Sequence, residues 1–376
     1  MLKRILFLSD VDSAHTRKWA VSLHDRGYEI GIFSLRKSGS DWHEKYPSIK
    51  NFDSDGFQKE KFQGGTLSKL GYLKMIPSLR KIIADFKPTI VHAHYATSYG
   101  TLGVRSGFHP LVISVWGSDV FEFPAKSWLH KRLVKRNLRK ADAVFSTSEV
   151  MKQQVVKLGR DEVHVTPFGV DLSIYFPNKG SALFSDDTRV IGTIKTLERH
   201  YGIDVLIRAF EIVKRKYTQK LKLVICGTGT QESELKALAA TSEWKNDILF
   251  TGAIAQEDVP EYLNQFDVFA NLSLQESFGV AVIEAMACGV PTVVSDAVGL
   301  REVTGEGDTA LIVPAGNAED AADAILRYLE NSELAAEKIK KGRNRVLENY
   351  DWQQNLSAIE ELYTDLNSRF QHNLNT

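Results

Sequence analysis

Residues 273–294 read SLQESFGVAVIEAMACGVPTVV and are the most informative stretch of the chain. Glu276 and Glu284 stand eight positions apart around a Ser-Phe-Gly turn, a small-residue helix follows from about Val280, and Gly289-Val290-Pro291 leads into an apolar strand. The free N–H groups and positive dipole end of such a helix suit an anion such as a diphosphate. Eight helical residues span about 12 Å, the size of a ribose–diphosphate–sugar unit, so one carboxylate could hold each end. The alternative is an ordinary helix with two solvated glutamates.

Short apolar runs alternate with helical patterns along the rest of the chain. We predict strands at Ile5–Leu8, Ile30–Phe33, Thr89–Ala93, Leu111–Val115, Ala143–Ser146, Val163–Thr166, Val190–Ile194, Lys222–Cys226, Ile248–Phe250, Val268–Ala270, Pro291–Val294 and Ala310–Val313. Helical patterns fill most gaps, as at Leu67–Phe86, Asp204–Tyr217, Ala318–Leu329 and Glu333–Glu348. This alternation favours parallel sheets with helices on both faces. A linker-like segment rich in Gly, Pro and polar residues splits the pattern near 170–188. The sequence therefore predicts an α/β chain of two doubly wound domains, 1–170 and 188–355, with ligands in a cleft between them.

The composition is that of a two-domain globular protein. The chain has 376 residues, 43% hydrophobic and 25% charged, and no run of about 18 apolar residues that could span a bilayer. The opening MLKRILFLSD is too soon polar for a signal peptide, and Cys226 and Cys288 lie singly in apolar stretches, so we expect a cytoplasmic protein with buried thiols. Residues 1–176 carry 27 Lys and Arg against 17 Asp and Glu, and the remainder carries 20 against 30. This asymmetry suggests a different partner for each half, and we expect no nucleic acid among them.

The 273–294 stretch resembles the E-x7-E signature of glycosyltransferase family 4, also called group 1. The resemblance implies the GT-B fold of two Rossmann-like domains and a retaining, metal-independent transfer from a nucleotide-diphosphate sugar, which we expect to be a UDP-sugar. It assigns Glu284 to the ribose and Glu276 to the transferred sugar. It also assigns the N–H groups of Phe278, Gly279 and Val280 to the diphosphate. No cofactor is implied beyond the substrate itself.

Residues 192–202 resemble the basic Val-Gly-Arg-Leu…Lys-Gly block of that family, but with two departures. Thr193 stands where the arginine is usual, and Tyr201 stands where the lysine precedes the glycine. Lys195 and Arg199 are the available replacements, and we favour Lys195 as the cation on the diphosphate. The alternative for both is a solvated loop charge.

Two glycine turns resemble further donor-binding segments of the family. Gly227 and Gly229 follow a strand as in its Gly-x-Gly turn, where glycine permits close approach of the backbone to a ligand. The segment 251–254, with Gly252 and Ile254, matches the backbone that meets the base. An ordinary tight turn and an ordinary strand end are equally consistent with these residues.

The N-terminal half offers three acceptor-side candidates, His15, His94 and Trp116. Where many family members carry a Gly-Gly loop, this chain has Ser13, a residue suited to cap a helix, followed by His15. His92 and His94 end a predicted strand on one face. We expect His94 near the acceptor and His92 in the core, with no third ligand placed for a metal.

Residues 115–119, Val-Trp-Gly-Ser-Asp, resemble the family's His-Gly-x-Asp block, with Trp116 in place of the histidine. The resemblance places Asp119 near the reacting centre, and Trp116 could stack on a sugar ring. The alternative is a strand-end aromatic residue followed by a helix-capping aspartate.

Residues 125–140, AKSWLHKRLVKRNLRK, form a strongly basic amphipathic pattern. Such a helix suits an anionic membrane surface or a lipid-diphosphate acceptor, and we expect a peripheral contact at the inner face of the membrane through Lys126–Lys140. A surface helix with solvated lysines is the alternative. The chain's end resembles the GT-B tail, a helix at about 356–376 that returns to the N-terminal domain.

These observations predict a hexosyl-type glycosyltransferase acting on a carbohydrate or lipid-linked acceptor in cell-surface polysaccharide synthesis. Three rivals stay open. A GT-A enzyme would hold a metal with Asp-x-Asp, a pattern that Asp10/Asp12 and Asp53/Asp55 match. A nucleotide-sugar epimerase of similar fold would need no acceptor. A non-catalytic carbohydrate-binding subunit would bind the nucleotide without turnover.

Overall fold

The fold is seen in a computed structural model that describes residues 3–53, 68–178, 184 and 187–375. The expected linker therefore lies partly outside the described residues, as do Leu67 at the start of one predicted helix and Asp55 of one Asp-x-Asp pair. The chain forms two compact units, unit 1 (Met1–Thr166 with Leu356–Thr376) and unit 2 (Pro167–Asn355).

Unit 1 is a parallel sheet flanked by helices. Its strands are β1 (Arg4–Leu8), β2 (Glu29–Ser34), β3 (Ile49–Asp53), β4 (Ile90–His94), β5 (Leu111–Val115), β6 (Ala143–Ser146) and β7 (His164–Val165). Its helices before unit 2 are α1 (Ala14–Asp25), α2 (Ile76–Phe86), α3 (Ser98–Ser106), α4 (Trp128–Lys140) and α5 (Glu149–Lys157). The strands are buried almost throughout, as expected where helices cover both faces of a sheet.

Unit 2 repeats this architecture. Its strands are β8 (Arg189–Ile194), β9 (Leu221–Cys226), β10 (Ile248–Gly252), β11 (Val268–Asn271), β12 (Thr292–Ser295) and β13 (Leu311–Val313). Its helices are α6 (Ile203–Lys216), α7 (Glu232–Ala240), α8 (Val259–Asn264), α9 (Val280–Ala287), α10 (Val298–Val303), α11 (Ala318–Glu330) and α12 (Ser332–Asn349). The last helix, α13 (Trp352–Asn375), starts here and continues into unit 1 from Leu356.

Both sheets are doubly wound. The strand order is β3-β2-β1-β4-β5-β6-β7 in unit 1 and β10-β9-β8-β11-β12-β13 in unit 2, and neighbouring strands pair in parallel. The order reverses between β1 and β4 and again between β8 and β11. In open α/β sheets these switch points, at the carboxyl ends of the strands, are where ligands bind. The fold therefore directs attention to the loops after these four strands.

The predicted strands are all present within one or two residues, and the two-domain α/β class is confirmed. The sequence missed β3, whose segment Ile49–Asp53 is short and has polar residues beside its two apolar ones. The helix expected over 67–86 is wrong in its first half, because Ser68–Met75 is a 3-10 helix and α2 begins at Ile76. Ser13 does occupy the position before α1, but its side chain makes no capping hydrogen bond.

Candidate active site

A half-buried ion pair lies at the switch point of unit 2. Lys195 follows β8, Glu276 lies in the loop after β11, and the ammonium Nζ of Lys195 donates to Oε2 of Glu276. Their side chains are 16% and 14% exposed, so the pair is sheltered yet still accessible. The second carboxylate oxygen of Glu276 accepts the N–H of Ser277 at 3.2 Å. Two of the residues predicted from sequence are thus brought into direct contact.

Tyr201 completes the surroundings of this ammonium. Its ring centroid lies 4.1 Å from Nζ of Lys195, which is a cation–π contact. The backbone carbonyl of the neighbouring His200 accepts the N–H of Leu274 at 2.8 Å, so the turn that carries Tyr201 is tied to the loop that carries Glu276. In the sequence Tyr201 was only a departure from a basic block. Its contact with Lys195 depends on tertiary structure and could not be predicted.

The other two residues of the basic block take no part in this ion pair. Arg199 is exposed on a 3-10 turn and forms no ion pair with another described residue. Thr193 is 2% exposed inside β8, so its side chain offers no surface to a ligand. Lys195 is therefore the cation that best fits an anion at this switch point.

Glycines allow the loops of unit 2 to approach one another closely. A Cβ on Gly227, whose φ is +139°, would lie 2.0 Å from the carbonyl oxygen of Lys195, and one on Gly229 would lie 2.3 Å from that of Leu197. The N–H of Gly227 donates to the carbonyl of Gly252 at 2.7 Å. Only glycine fits at 227 and 229, so the Gly-x-Gly turn sets the position of the Lys195 backbone. Ile254, two residues after Gly252, is half-buried.

The loop after Glu276 ends at the amino terminus of α9. Gly279 has φ +104° and immediately precedes the helix, whose first-turn N–H groups lack intrahelical acceptors. Phe278 is 4% exposed, and its ring packs against Phe168 and Tyr350 at 5.7 Å each, which anchors the loop. The N–H of Gly299 donates to the carbonyl of Glu276 at 3.1 Å. The helix end at Val280 is therefore held firmly beside the ion pair.

Glu284 lies about one turn along α9. Its carboxylate accepts a hydrogen bond from the hydroxyl of Tyr175. That hydroxyl also accepts from Nε2 of Gln256 at 2.8 Å. Burial, and next the charge of Glu284, raise the pKa of Tyr175, so the hydroxyl stays protonated and donates to the carboxylate. The sequence identified Glu284 but not Tyr175, which precedes it by 109 positions and lies in the expected linker segment.

In unit 1 the carboxylate of Asp119 is used by the backbone. It is 1% exposed and accepts N–H groups from Ala96 at 2.8 Å, Trp116 at 3.1 Å and Gly117 at 3.0 Å. Burial raises its pKa, and the three N–H donors oppose that rise. The group joins the loops after β4 and β5, and it caps no helix, because all three donors precede it in the chain.

His92 and His94 pack side by side at the switch point of unit 1, with ring centroids 4.8 Å apart, and both are fully buried. His92 contacts the hydroxyl of Tyr363 through Nδ1 at 2.6 Å and that of Ser114 through Nε2 at 2.7 Å. Nδ1 of His94 contacts Oγ of Ser9 at 2.9 Å, while its Nε2 has no hydrogen-bond partner among the described residues. Burial lowers the pKa of His92 to about 3 and that of His94 well below its usual value, so both are neutral.

Trp116 and His15 are the half-buried residues of this region. The ring of Trp116 lies 4.4 Å from that of His94 and 5.5 Å from that of His15. Burial, and next the charge of Lys18, lower the pKa of His15 to about 4. The three acceptor-side residues predicted from sequence thus form one cluster, in which His94 is the covered member.

Across the described residues, no three or more His, Cys, Asp or Glu side chains are grouped as a metal site would need. The described helices are each too short or too polar to cross a bilayer.

Two doubly wound α/β units with switch-point loops of this kind define the GT-B class. The model of the family "Glycosyl transferases group 1" matches residues 177–345, and that of "Glycosyl transferase 4-like" matches residues 4–148. The matches reach into both units, and the chain belongs to the group 1 glycosyltransferases. It is a two-domain glycosyltransferase.

Similar proteins agree with this assignment. N-acetyl-alpha-D-glucosaminyl L-malate synthase of Bacillus anthracis is 26% identical over 92% of this chain and 91% of its own length. Sucrose-phosphate synthase of Thermosynechococcus elongatus has the same fold with a TM-score of 0.81, at 22% identity over 98% of this chain and all of its own. The structure of HepE of Anabaena, solved with UDP and glucose, has a TM-score of 0.78 at 19% identity, over 97% of this chain and 100% of its own.

The GT-A rival is excluded, because that fold is a single domain. The acidic pairs that suggested it have other surroundings where they are described. Asp10 pairs with Arg36 at 3.0 Å, and Asp12 accepts the N–H of Gly39 at 2.8 Å.

Proposed function

We propose that this glycosyltransferase moves a sugar from a UDP-sugar, with retention and without a metal, to a hydroxyl of a carbohydrate or lipid-linked acceptor. The observation that carries the proposal is the accessible Lys195–Glu276 pair beside the amino terminus of α9. A sheltered cation next to free helix N–H groups is suited to a diphosphate, and the adjacent carboxylate is suited to sugar hydroxyls.

On the donor side, each group has one task. The ammonium of Lys195 and the N–H groups of Phe278, Gly279 and Val280 hold the diphosphate, replacing the charge that a metal would otherwise supply. Glu284, oriented by Tyr175, accepts the ribose hydroxyls. The loops at 227–229 and 252–254 lie against the nucleoside.

Glu276 takes part by exchanging partners. When the donor binds, Lys195 turns from the carboxylate of Glu276 to the diphosphate, and Glu276 then accepts the hydroxyls of the transferred sugar. The existing pair holds both side chains within reach of this arrangement, which limits the entropy lost on binding.

The chemical step is a displacement at the anomeric carbon. The bond from that carbon to the β-phosphate oxygen breaks with its electron pair going to the phosphate, and positive charge develops on the sugar ring. A lone pair of the acceptor hydroxyl forms the new glycosidic bond on the same face, and its proton passes to the departing phosphate. Lys195 and α9 stabilise the negative charge that grows on the diphosphate.

On the acceptor side, we propose contact through His15 and Trp116, which keep partial exposure. The sequence placed Asp119 among the catalytic groups, but its full burial favours a positioning role for the Trp116 loop instead. Full burial likewise favours a positioning role for His94, beneath the Trp116 ring.

The names of two similar proteins favour the choice of donor. HepE is named as a complex with UDP and glucose, and the Bacillus anthracis relative is named for an N-acetylglucosaminyl product, both consistent with a UDP-sugar. We propose that the protein acts in cell-surface polysaccharide synthesis, on the cytoplasmic face of the membrane, through a peripheral contact of residues 126–140.

The test is release of nucleotide diphosphate from a panel of UDP-, GDP- and ADP-sugars, with and without a chelator. Glu276→Ala and Glu276→Gln are compared with Glu333→Gln, a change at an exposed glutamate of α12. We expect UDP to be released from a UDP-sugar, and the release to persist with chelator. Both Glu276 variants should lose this release, and E333Q should keep it. The anomeric proton coupling of the product reports retention.

Other outcomes name the rivals. Conversion of the donor to another nucleotide sugar without diphosphate release would identify an epimerase. Nucleotide binding without turnover, in the presence of mixed polysaccharide and lipid-linked acceptors, would identify a non-catalytic subunit.

A further inference from the structure

The apolar face of α4 is already used inside unit 1. Val134 and Leu138 are fully buried in the core. Asn137, 1% exposed, donates from Nδ2 to the carbonyl of Ala96 at 2.9 Å and to Oγ1 of Thr101 at 2.8 Å. An amphipathic helix that lies on a bilayer buries its apolar face in the lipid. In α4 that face is covered by protein, so the usual arrangement does not apply.

The opposite face of α4 is exposed and basic. At about 100° per residue, the helix places Trp128, Arg132, Arg136 and Arg139 along one stripe, with Leu129 and Lys140 beside it. All six are exposed, and Trp128 and Leu129 keep 69% and 58% of their surface in solvent. Two large apolar side chains therefore lie at one end of a row of cations.

The cations of α4 and of the turn before it have no carboxylate partner in the described part of the chain. No ion pair joins Lys126, Lys131, Arg132, Lys135, Arg136, Arg139 or Lys140 to any carboxylate of the described residues. Elsewhere many exposed cations are paired, as Lys341 is with Asp308 at 2.9 Å. Six of the 27 basic residues of 1–176 thus lie inside α4, which has no acidic residue.

We propose that the exposed face of α4 binds an anionic lipid bilayer, with Trp128 and Leu129 entering the headgroup boundary. The arginines and lysines of the stripe contact lipid phosphates. This inference deepens the membrane contact of the proposed function, by identifying which face and which side chains make it. Because no apolar helix face enters the lipid, binding is mainly electrostatic and reversible.

Charge complementarity favours a bilayer as the occupant. An extended row of cations suits a surface with many phosphates, and tryptophan is characteristic of the membrane–water boundary, where its ring and its N–H are both accommodated. The helix begins at a serine cap, Ser127, whose Oγ accepts the N–H of His130, so Trp128 and Leu129 are held at a fixed end of α4.

The experiment is flotation of the full-length protein with phosphatidylcholine vesicles, with and without phosphatidylglycerol. Arg132→Glu with Arg136→Glu tests the cations, and Trp128→Ser with Leu129→Ser tests the apolar pair. Lys245→Glu with Lys340→Glu is the matched control, since both lysines are exposed in unit 2 and the change in net charge is the same.

We expect binding only to anionic vesicles and weakening by added salt. R132E/R136E should bind at least about tenfold more weakly, since each basic residue near an anionic surface contributes about 1 kcal/mol. W128S/L129S should bind several-fold more weakly, and K245E/K340E should match the wild type. Brominated lipids should quench the tryptophan fluorescence of the wild type more than that of Trp128→Phe.

Equal binding by R132E/R136E and K245E/K340E, or absence of binding to anionic vesicles at low salt, would overturn the proposal. A salt-sensitive dimer lost in R132E/R136E, without vesicle binding, would assign the face to a second copy. Diphosphate release from the donor is measured separately in solution, so a failure here is distinguishable from a failure of the proposed transferase reaction.

Discussion

The buried histidines of unit 1 make a specific prediction about acid stability. His92 lies in β4, fully buried, and its two ring nitrogens contact the hydroxyls of Tyr363 on α13 and Ser114 on β5. Burial lowers its pKa to about 3, whereas the pKa of an exposed histidine is about 6.5. The perturbation is His92→Gln, which keeps a donor and an acceptor but cannot become charged at these pH values.

Proton linkage gives the sign and the size of the change in unfolding free energy with pH. Below about pH 6.5 the unfolded chain binds a proton at His92 that the folded protein refuses, so stability is full above that pH and falls as the pH decreases. Between about pH 6.5 and pH 5 the loss is about 1.5 pH units at 1.36 kcal/mol each, or about 2 kcal/mol. His94, whose pKa is also lowered by burial, adds in the same direction. Glu29, whose pKa is lowered chiefly by its hydrogen bond from Lys50, matters only at lower pH.

The assay is urea unfolding at about pH 8 and about pH 5, followed by tryptophan fluorescence. Trp19, whose ring lies 5.3 Å from that of His92, reports on this region, and separate transitions are fitted because two units need not unfold together. H92Q should be less stable than wild type at the higher pH, by about 1–3 kcal/mol for imperfectly paired hydroxyls. It should nevertheless lose about 2 kcal/mol less on acidification. His200→Gln, at an exposed site, is the control. The same acid loss in H92Q and wild type would refute the reasoning.

Other predictions concern the donor site. Lys195→Met should lower kcat by about 10²–10³-fold, while Lys195→Arg should retain part of the activity. Equal activity of K195M and wild type would show that the ammonium has no role in the reaction. Tyr201→Phe should keep the wild-type kcat/KM, whereas Tyr201→Ala should lower it by up to about tenfold, because the ring supports the ammonium of Lys195. A loss in both variants would implicate the hydroxyl instead. Gly227→Ala should destabilise unit 2 by more than Gly252→Ala in thermal unfolding, since only at 227 does a Cβ meet backbone, at 2.0 Å; the reverse order would contradict the close loop packing. Tyr175→Phe should raise KM for the donor several-fold with little change in kcat, and a change confined to kcat would contradict a role in ribose binding.

The strands of this chain were predictable because they belong to parallel sheets covered on both faces. Such strands are near-continuous apolar runs, as in Leu111–Val115, and they are separated by long helical patterns. Strand β3 lacks this signal, since it is an edge strand with Lys50 and Asn51 in its middle. The same alternation predicts that each sheet has a switch point but not where it lies. Which loops meet there depends on strand order, which local pattern does not determine.

The candidate site was partly predictable for a related reason. Gly227 and Gly279 have backbone conformations that favour glycine, so their roles leave a mark in the sequence itself. The contacts of Tyr201 and Tyr175 leave no such mark. Tyr201 meets Lys195, six positions away, only through the conformation of the loop after β8, and Tyr175 meets Gln256, 81 positions away. Asp119 shows the converse: an aspartate after a strand suits catalysis and capping equally in sequence. Its burial and its three backbone donors depend on the fold, and they favour a third role, which is to position the loops after β4 and β5.

The basic helix α4 extends this argument to function. In sequence the apolar residues interleaved through 125–140 suggested a helix face for lipid, and in the fold two of them, Val134 and Leu138, are core residues. What remains for a membrane is the basic stripe with Trp128 and Leu129, a surface that binds through charge and releases in salt. Such a contact would hold the enzyme near lipid-linked acceptors without fixing it there. It would also place selection for acceptors partly in α4, on unit 1, while selection for donors lies in the Lys195–Glu276 region of unit 2. Changes at α4 should therefore alter rates with membrane-bound acceptors and leave donor affinity in solution unchanged.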